Sequence, residues 1–126
     1  MSDGTRLKIL VVDDERSIAD TLAAIFAIHG YEAFAAYSGE SGLEQARSLS
    51  PDVVVSDVLM PGINGAEMAM QILQFLPSCK ILLISGQAAT SDLLSDVAAK
   101  GYTFELLPKP IRPLELLAKL TALHQT

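Results

Sequence analysis

With a single cysteine, Cys79, this 126-residue chain cannot form an internal disulfide. Neither a second thiol nor a nearby histidine gives that cysteine the makings of a zinc-type ligand set, so it reads as a thiol at the edge of the core. Basic residues are scarce: nine Lys and Arg stand against fifteen Asp and Glu, a net charge of −6. So few scattered cations do not make the clustered positive surface that displaces counterions from nucleic acid. No apolar run approaches the roughly 20 residues needed to span a bilayer. The opening MSDGTR leads into a short apolar run that ends in acids, which is not a signal segment. There is no internal repeat and no low-complexity tract. One thiol and no targeting segment agree with a reducing, cytoplasmic setting.

What is present is apolar residue in quantity. Half the chain is hydrophobic, enough at this length for one core without a disulfide or structural metal. A single domain over 1–126 is expected, with its core from about 7 to 124. Apolar runs at Leu7–Val12, Tyr31–Ala36, Asp52–Ser56, Lys80–Ser85 and Thr103–Leu107 read as strands. Helical spacing appears between them, first over about Glu15–Ile28, with Ile18, Leu22, Ile25 and Phe26 on one face and Gly30 as the terminal cap. Further helices are expected at Gly39–Ser48, Gly65–Phe75, Ser91–Lys100 and Pro113–His124. Strand and helix alternate five times. Strands apolar on both faces require helices on both sides of a parallel sheet. Right-handed crossovers then favour an α/β, flavodoxin-like (βα)5 three-layer sandwich with strand order 2-1-3-4-5.

In that order, ligands bind at the carboxyl ends of the strands where the sheet changes direction. Asp13 and Asp14 follow the first strand, Asp57 the third, Ser85 the fourth and Lys109 the fifth. Three carboxylates on one rim repel each other and resist desolvation. A divalent cation offsets that repulsion, and oxygen donors without His or Cys point to Mg²⁺, or Mn²⁺ in its place. A carboxylate nucleophile, a metal, an ammonium and a hydroxyl are the parts needed for phosphoryl transfer to an aspartate. Each residue alone has a plainer explanation. Asp14 could be a helix N-cap, Asp57 a turn residue and Lys109 a solvated lysine, but their coincidence on one rim favours a site. His29 and His124 lie away from the acids and read as capping or solvated residues. Met60, Met68 and Met70 read as packing.

The segments VVDDE (11–15), SDVLMPGINGAE (56–67), ILLISG (81–86) and LPKPI (107–111) together resemble the receiver domain of two-component response regulators, the CheY-like superfamily, over nearly the whole chain. The resemblance implies Asp57 as phosphoacceptor, with Asp13 and Asp14 organising Mg²⁺ beside the backbone carbonyl of Leu59. It implies that Lys109 and Ser85 contact the phosphoryl group, that the Lys109–Pro110 bond is cis, and that Pro61 and Gly65 shape the loop after the third strand. It implies a signalling phosphoacceptor that catalyses its own phosphorylation and dephosphorylation, rather than an enzyme turning over a substrate. Its phosphodonor would be a sensor histidine kinase or phosphotransfer protein docking near Ser17, Ile18, Pro110 and Ile111. A downstream protein or effector domain would be met through the fourth helix, fifth strand and fifth helix, a face that could also form a homodimer.

Leu106 departs from the family pattern, which has Tyr or Phe at that position as part of the switch. Tyr102 and Phe104 share strand parity with it; either could be a displaced substitute for the ring, and packing is the expected role of both. Leu59 and Gln87 occupy positions that flank the path of attacking water in receivers; a leucine there cannot orient water, which suggests a long-lived phosphorylated state. The principal alternative is a receiver-like binding module that works without phosphorylation. A phosphate-ester enzyme with an Asp nucleophile is disfavoured by the absence of a cap insertion. A flavin or nucleotide site is disfavoured by the acidic loop after the first strand.

Overall fold

The central strands are continuous apolar runs because helices cover both of their faces. A computed structural model describes residues 6–86, 90–102, 104–110 and 112–124, and for 90–94 and 124 the backbone alone. Its elements are β1 (Lys8–Val12), α1 (Arg16–Ile28), β2 (Glu32–Ala36), α2 (Gly39–Leu49), β3 (Val53–Asp57), α3 (Gly65–Phe75), β4 (Lys80–Ser85), α4 (Thr90–Ala99), β5 (Glu105–Pro108) and α5 (Pro113–His124). The strands are parallel in the order β2-β1-β3-β4-β5. This is the flavodoxin-like arrangement expected from the alternation. All of β3, and nearly all of β1 and β4, is buried, whereas the outer strands β2 and β5 are partly exposed. Pro108, which lacks a backbone N–H, is tolerated because β5 is an edge.

Side-chain alternation divides the core into two layers. Ile9, Val11, Val53, Val55, Leu82 and Ile84 pack against α1 and α5, including Phe26 and Leu116. Leu10, Val12, Val54, Ile81 and Leu83 pack against α2, α3 and α4, including Leu43, Met68 and Val97. Ser38 accepts from the Ser41 N–H at 3.0 Å and Asn64 from the Glu67 N–H at 2.8 Å, capping α2 and α3. Each cap stabilises its helix by about 1 kcal/mol.

Only β4 keeps its expected bounds: β1 and β2 start one residue later, at Lys8 and Glu32, and β3 runs Val53–Asp57 rather than Asp52–Ser56. Asp52, just before β3, accepts the Lys8 N–H on its carboxylate at 2.8 Å. β5 begins at Glu105, where pairing with Leu82 of β4 starts; Thr103, the expected start, lies outside the described residues. Tyr102 and Phe104 stack with 6.2 Å between ring centroids and pack against the layer under α2–α4.

Candidate functional site

The parallel register delivers the polar residues to one rim. Val12 lies beside Ser56, Asp57 beside Ile84, and Ser85 beside Pro108. The residues at or just after these positions form the site. One carboxylate oxygen from each of Asp13, Asp14 and Asp57 lies within 4.8 Å of the others. Asp13 and Asp57 are only 3% and 8% exposed, whereas Asp14 faces solvent. Asp13 accepts from the Glu15 N–H at 2.9 Å. Glu15, not Asp14, is the N-cap residue of α1, and its side chain makes no cap bond. The capping explanation of Asp14 therefore fails.

Lys109 comes from the loop after β5. Its N–H donates to the Ser85 carbonyl at 3.0 Å, and the Lys109–Pro110 bond is cis. Its Nζ lies 3.3 Å from Asp57 Oδ2. Gly86 leaves room for the lysine stem, since a Cβ there would come within 3.3 Å of Lys109 Cβ and Cδ. Asp57, Leu59, Ser85, Gly86 and Lys109 line a cleft of about 110 Å³. With a liquid water occupying about 30 Å³, that is room for a phosphoryl group. Leu59 is 40% exposed at its edge.

One ammonium does not compensate three acids. Burial pushes the Asp57 carboxyl above its ordinary value, outweighing the Lys109 charge and hydrogen bond; Asp14 pushes the same way. Burial likewise raises Asp13, opposed by the Glu15 N–H and reinforced by Asp57. A cluster that is all oxygen, partly buried and undercompensated has the donor chemistry of a hard divalent-cation site.

The remaining candidates fall elsewhere. Leu106 pairs with Leu83 on β4 and is 39% exposed. His29 caps the C-terminal end of α1. Cys79 is buried just before β4, at the opposite rim, with its thiol pushed up to about 12 by burial. Gly65 is the first residue of α3, where the loop after β3 ends. Gln87 and Ile111 lie outside the described residues. A groove of about 530 Å³ runs between α1 and the loop after β5, lined by Ser17, Ile18, Leu22, Ile25 and Pro110 among others. Ser56, which hydrogen-bonds to the Asp57 carbonyl, was not anticipated; its one sequence signal is a hydroxyl closing a run of valines.

Residues 9–121 match the family described as response regulator receiver domain. The chain belongs to that family. Response regulator MprA of Mycobacterium ulcerans is 34% identical over 119 residues, covering 93% of this chain and 50% of that protein. The chain thus spans about half the length of the curated relatives it matches. The Vibrio cholerae chemotaxis protein CheY4 superposes with a TM-score of 0.84 at 26% identity, over 94% of this chain and 99% of that one. A CheY-like receiver domain protein from Methanospirillum hungatei has a TM-score of 0.85 at 24% identity, over 96% of each chain, a likeness of fold alone. The chain is accordingly a receiver domain of two-component signalling. Receivers bind Mg²⁺ at an acidic pocket, and the Asp13, Asp14 and Asp57 group is compatible with that ion. None of its described helices is long and apolar enough to cross a membrane.

Proposed function

We propose that this receiver, as one domain, accepts a phosphoryl group on Asp57 with Mg²⁺ held by Asp13, Asp14, Asp57 and the Leu59 carbonyl. The observation that carries the proposal is the convergence of three carboxylates beside a single ammonium, with Lys109 on Asp57 itself. An Asp57 carboxylate oxygen attacks the phosphorus of a phosphohistidine. The new P–O bond forms as the P–N bond breaks, and the electron pair leaves with the imidazole nitrogen. Lys109, already at Asp57, neutralises charge on the moving group. Ser85 donates its hydroxyl to a phosphoryl oxygen at the cleft wall. A bound Mg²⁺ supplies the remaining positive charge that three acids and a phosphoryl group require. Leu59 at the cleft edge offers no hydrogen bond to an attacking water, which favours a long-lived acyl phosphate.

The donor is a sensor histidine kinase or phosphotransfer protein. The groove containing Ser17, Ile18 and Pro110 adjoins Lys109 and supports docking there. Output runs through the face of α4, β5 and α5 to a downstream protein or effector domain, with the new charge biasing a two-state equilibrium. Leu106 replaces the ring of the usual switch, so that output does not run through an aromatic side chain at this position.

Intact-mass analysis after incubation with acetyl phosphate, with and without Mg²⁺, tests the reading. One phosphoryl adduct that requires Mg²⁺ and is absent from Asp57→Asn is expected. A folded wild-type protein that gains no adduct would instead favour a phosphorylation-independent binding module.

A further inference from the structure

Within β3, VVVSD, one residue is out of character. Ser56 has no exposed surface, yet it shares a face with Val54 and Val58 and lies in register with Val12 and Leu83. A valine would suit that position as a strand residue. A buried hydroxyl without a partner costs about 1–3 kcal/mol. Ser56 has a partner: its Oγ–H donates to the Asp57 carbonyl at 2.9 Å.

The same carbonyl is crowded from a second direction. A Cβ at Gly65 would lie 2.1 Å from the Asp57 carbonyl oxygen and 2.9 Å from Ser56 Oγ. The start of α3 therefore rests directly on the Asp57–Val58 peptide, against the serine hydroxyl. The flanking groups are also held: the Val58 N–H donates to Ile84 at 3.0 Å, and the Val58 carbonyl accepts from the Gly65 N–H at 2.8 Å. Ser56 thus supplies the side-chain bond in a backbone clamp around the residue whose carboxylate meets Lys109.

We propose that Ser56 is a positioning residue of the phosphorylation site: its buried hydroxyl fixes the Asp57–Val58 peptide and thereby the placement of the Asp57 carboxylate. This rests on the reading of Asp57 as phosphoacceptor. A displacement of about 1 Å at a reacting group can cost as much as 10²-fold in rate, so a hydrogen bond one peptide away is worth part of that.

The test compares wild type with Ser56→Ala, Ser56→Thr and Ser56→Cys, all assayed well below their melting temperatures. Ser56→Ala is expected to lower the phosphorylation rate from acetyl phosphate at saturating Mg²⁺ by about tenfold, and Ser56→Thr to restore it to within about twofold. A second readout needs neither metal nor donor: the chemical shifts of the Asp57 carboxyl carbon and the Val58 amide are recorded by NMR in metal-free protein at one fixed pH. Both should move in Ser56→Ala and return in Ser56→Thr. If Ser56→Ala does not fold, Ser56→Cys, near in volume but a weaker donor, is expected to show the same changes. A folded Ala or Cys variant with wild-type rate and wild-type shifts, even if less stable, would overturn the proposal. An inert wild-type protein would defeat the phosphoacceptor reading, while the shifts would still decide whether Ser56 places the carboxylate.

Discussion

The two rims of the sheet carry the same kind of residue to opposite ends. At the amino rim, Asp52 accepts the Lys8 N–H, and its backbone joins Lys8 and Lys80 at 2.9 and 3.0 Å. Lys8 Nζ, close by, donates to the Leu49 carbonyl at 3.1 Å. That acid is spent on holding strands together. At the carboxyl rim, Asp13, Asp14 and Asp57 converge with one lysine among them, and the two buried acids are raised rather than settled. The buried polar side chains of the described core, Asp13, Ser56, Asp57 and Ser85, all belong to this end. Asp13 also accepts a backbone N–H, from Glu15, so it is the crowding of acids that separates the rims: a lone acid bonded to a neighbouring strand is structural, whereas acids gathered without enough positive charge leave room for a ligand.

The largest effect that would break this contrast is at Asp57. Asp57→Asn should abolish the phosphoryl adduct while leaving a folded protein, read by intact mass alongside circular dichroism. Next comes Lys109→Ala, which removes the ammonium 3.3 Å from Asp57 Oδ2 that is proposed to meet the phosphoryl group. The phosphorylation rate should fall by about 10²-fold, measured as adduct formation over time at saturating Mg²⁺.

Stability gives the third comparison. In metal-free protein, the folded state holds protons on Asp13 and Asp57 at pH values where the unfolded chain, near the ordinary 3.8, has lost them. The native state then binds more protons than the unfolded state, so these groups' contribution to stability falls as pH rises from about 3.8 through their raised values. Asp13→Asn removes part of that penalty. Its melting temperature should exceed wild type at neutral pH without metal, and the advantage should shrink toward pH 4. Paired thermal melts across that range check the sign, and added Mg²⁺ should narrow the gap at neutral pH. The smallest effect is at the other rim. Asp52→Ala should cost about 1 kcal/mol in chemical denaturation and leave the phosphorylation rate unchanged.

Much of this was legible in the residues. Continuous apolar runs alternating with helical spacing determine a covered parallel sheet, and the spans Gly65–Phe75, Lys80–Ser85 and Pro113–His124 coincide with α3, β4 and α5. Asp13, Asp57, Ser85 and Lys109 were legible as one site because chain direction alone places strand ends on one rim. Less legible were features that depend on who sits beside whom. The Asp13 bond to Glu15 depends on loop geometry, so the acid of DDE that receives the helix start could not be chosen from spacing. β5 starts late because pairing with β4, not apolarity, defines it, leaving Tyr102 and Phe104 to pack before the strand. Ser56 was hidden because a serine in a valine run carries no sign of its partner until Asp57 and Gly65 are placed against it.

The most direct test of the contrast between rims is to find where the phosphoryl group lands. After acetyl phosphate and Mg²⁺, borohydride reduces an aspartyl phosphate to homoserine, which peptide mass spectrometry locates by residue. Conversion at Asp57 alone, with Asp13, Asp14 and Asp52 intact, is the predicted result. Conversion at Asp52, or spread over several acids without preference for Asp57, would contradict it.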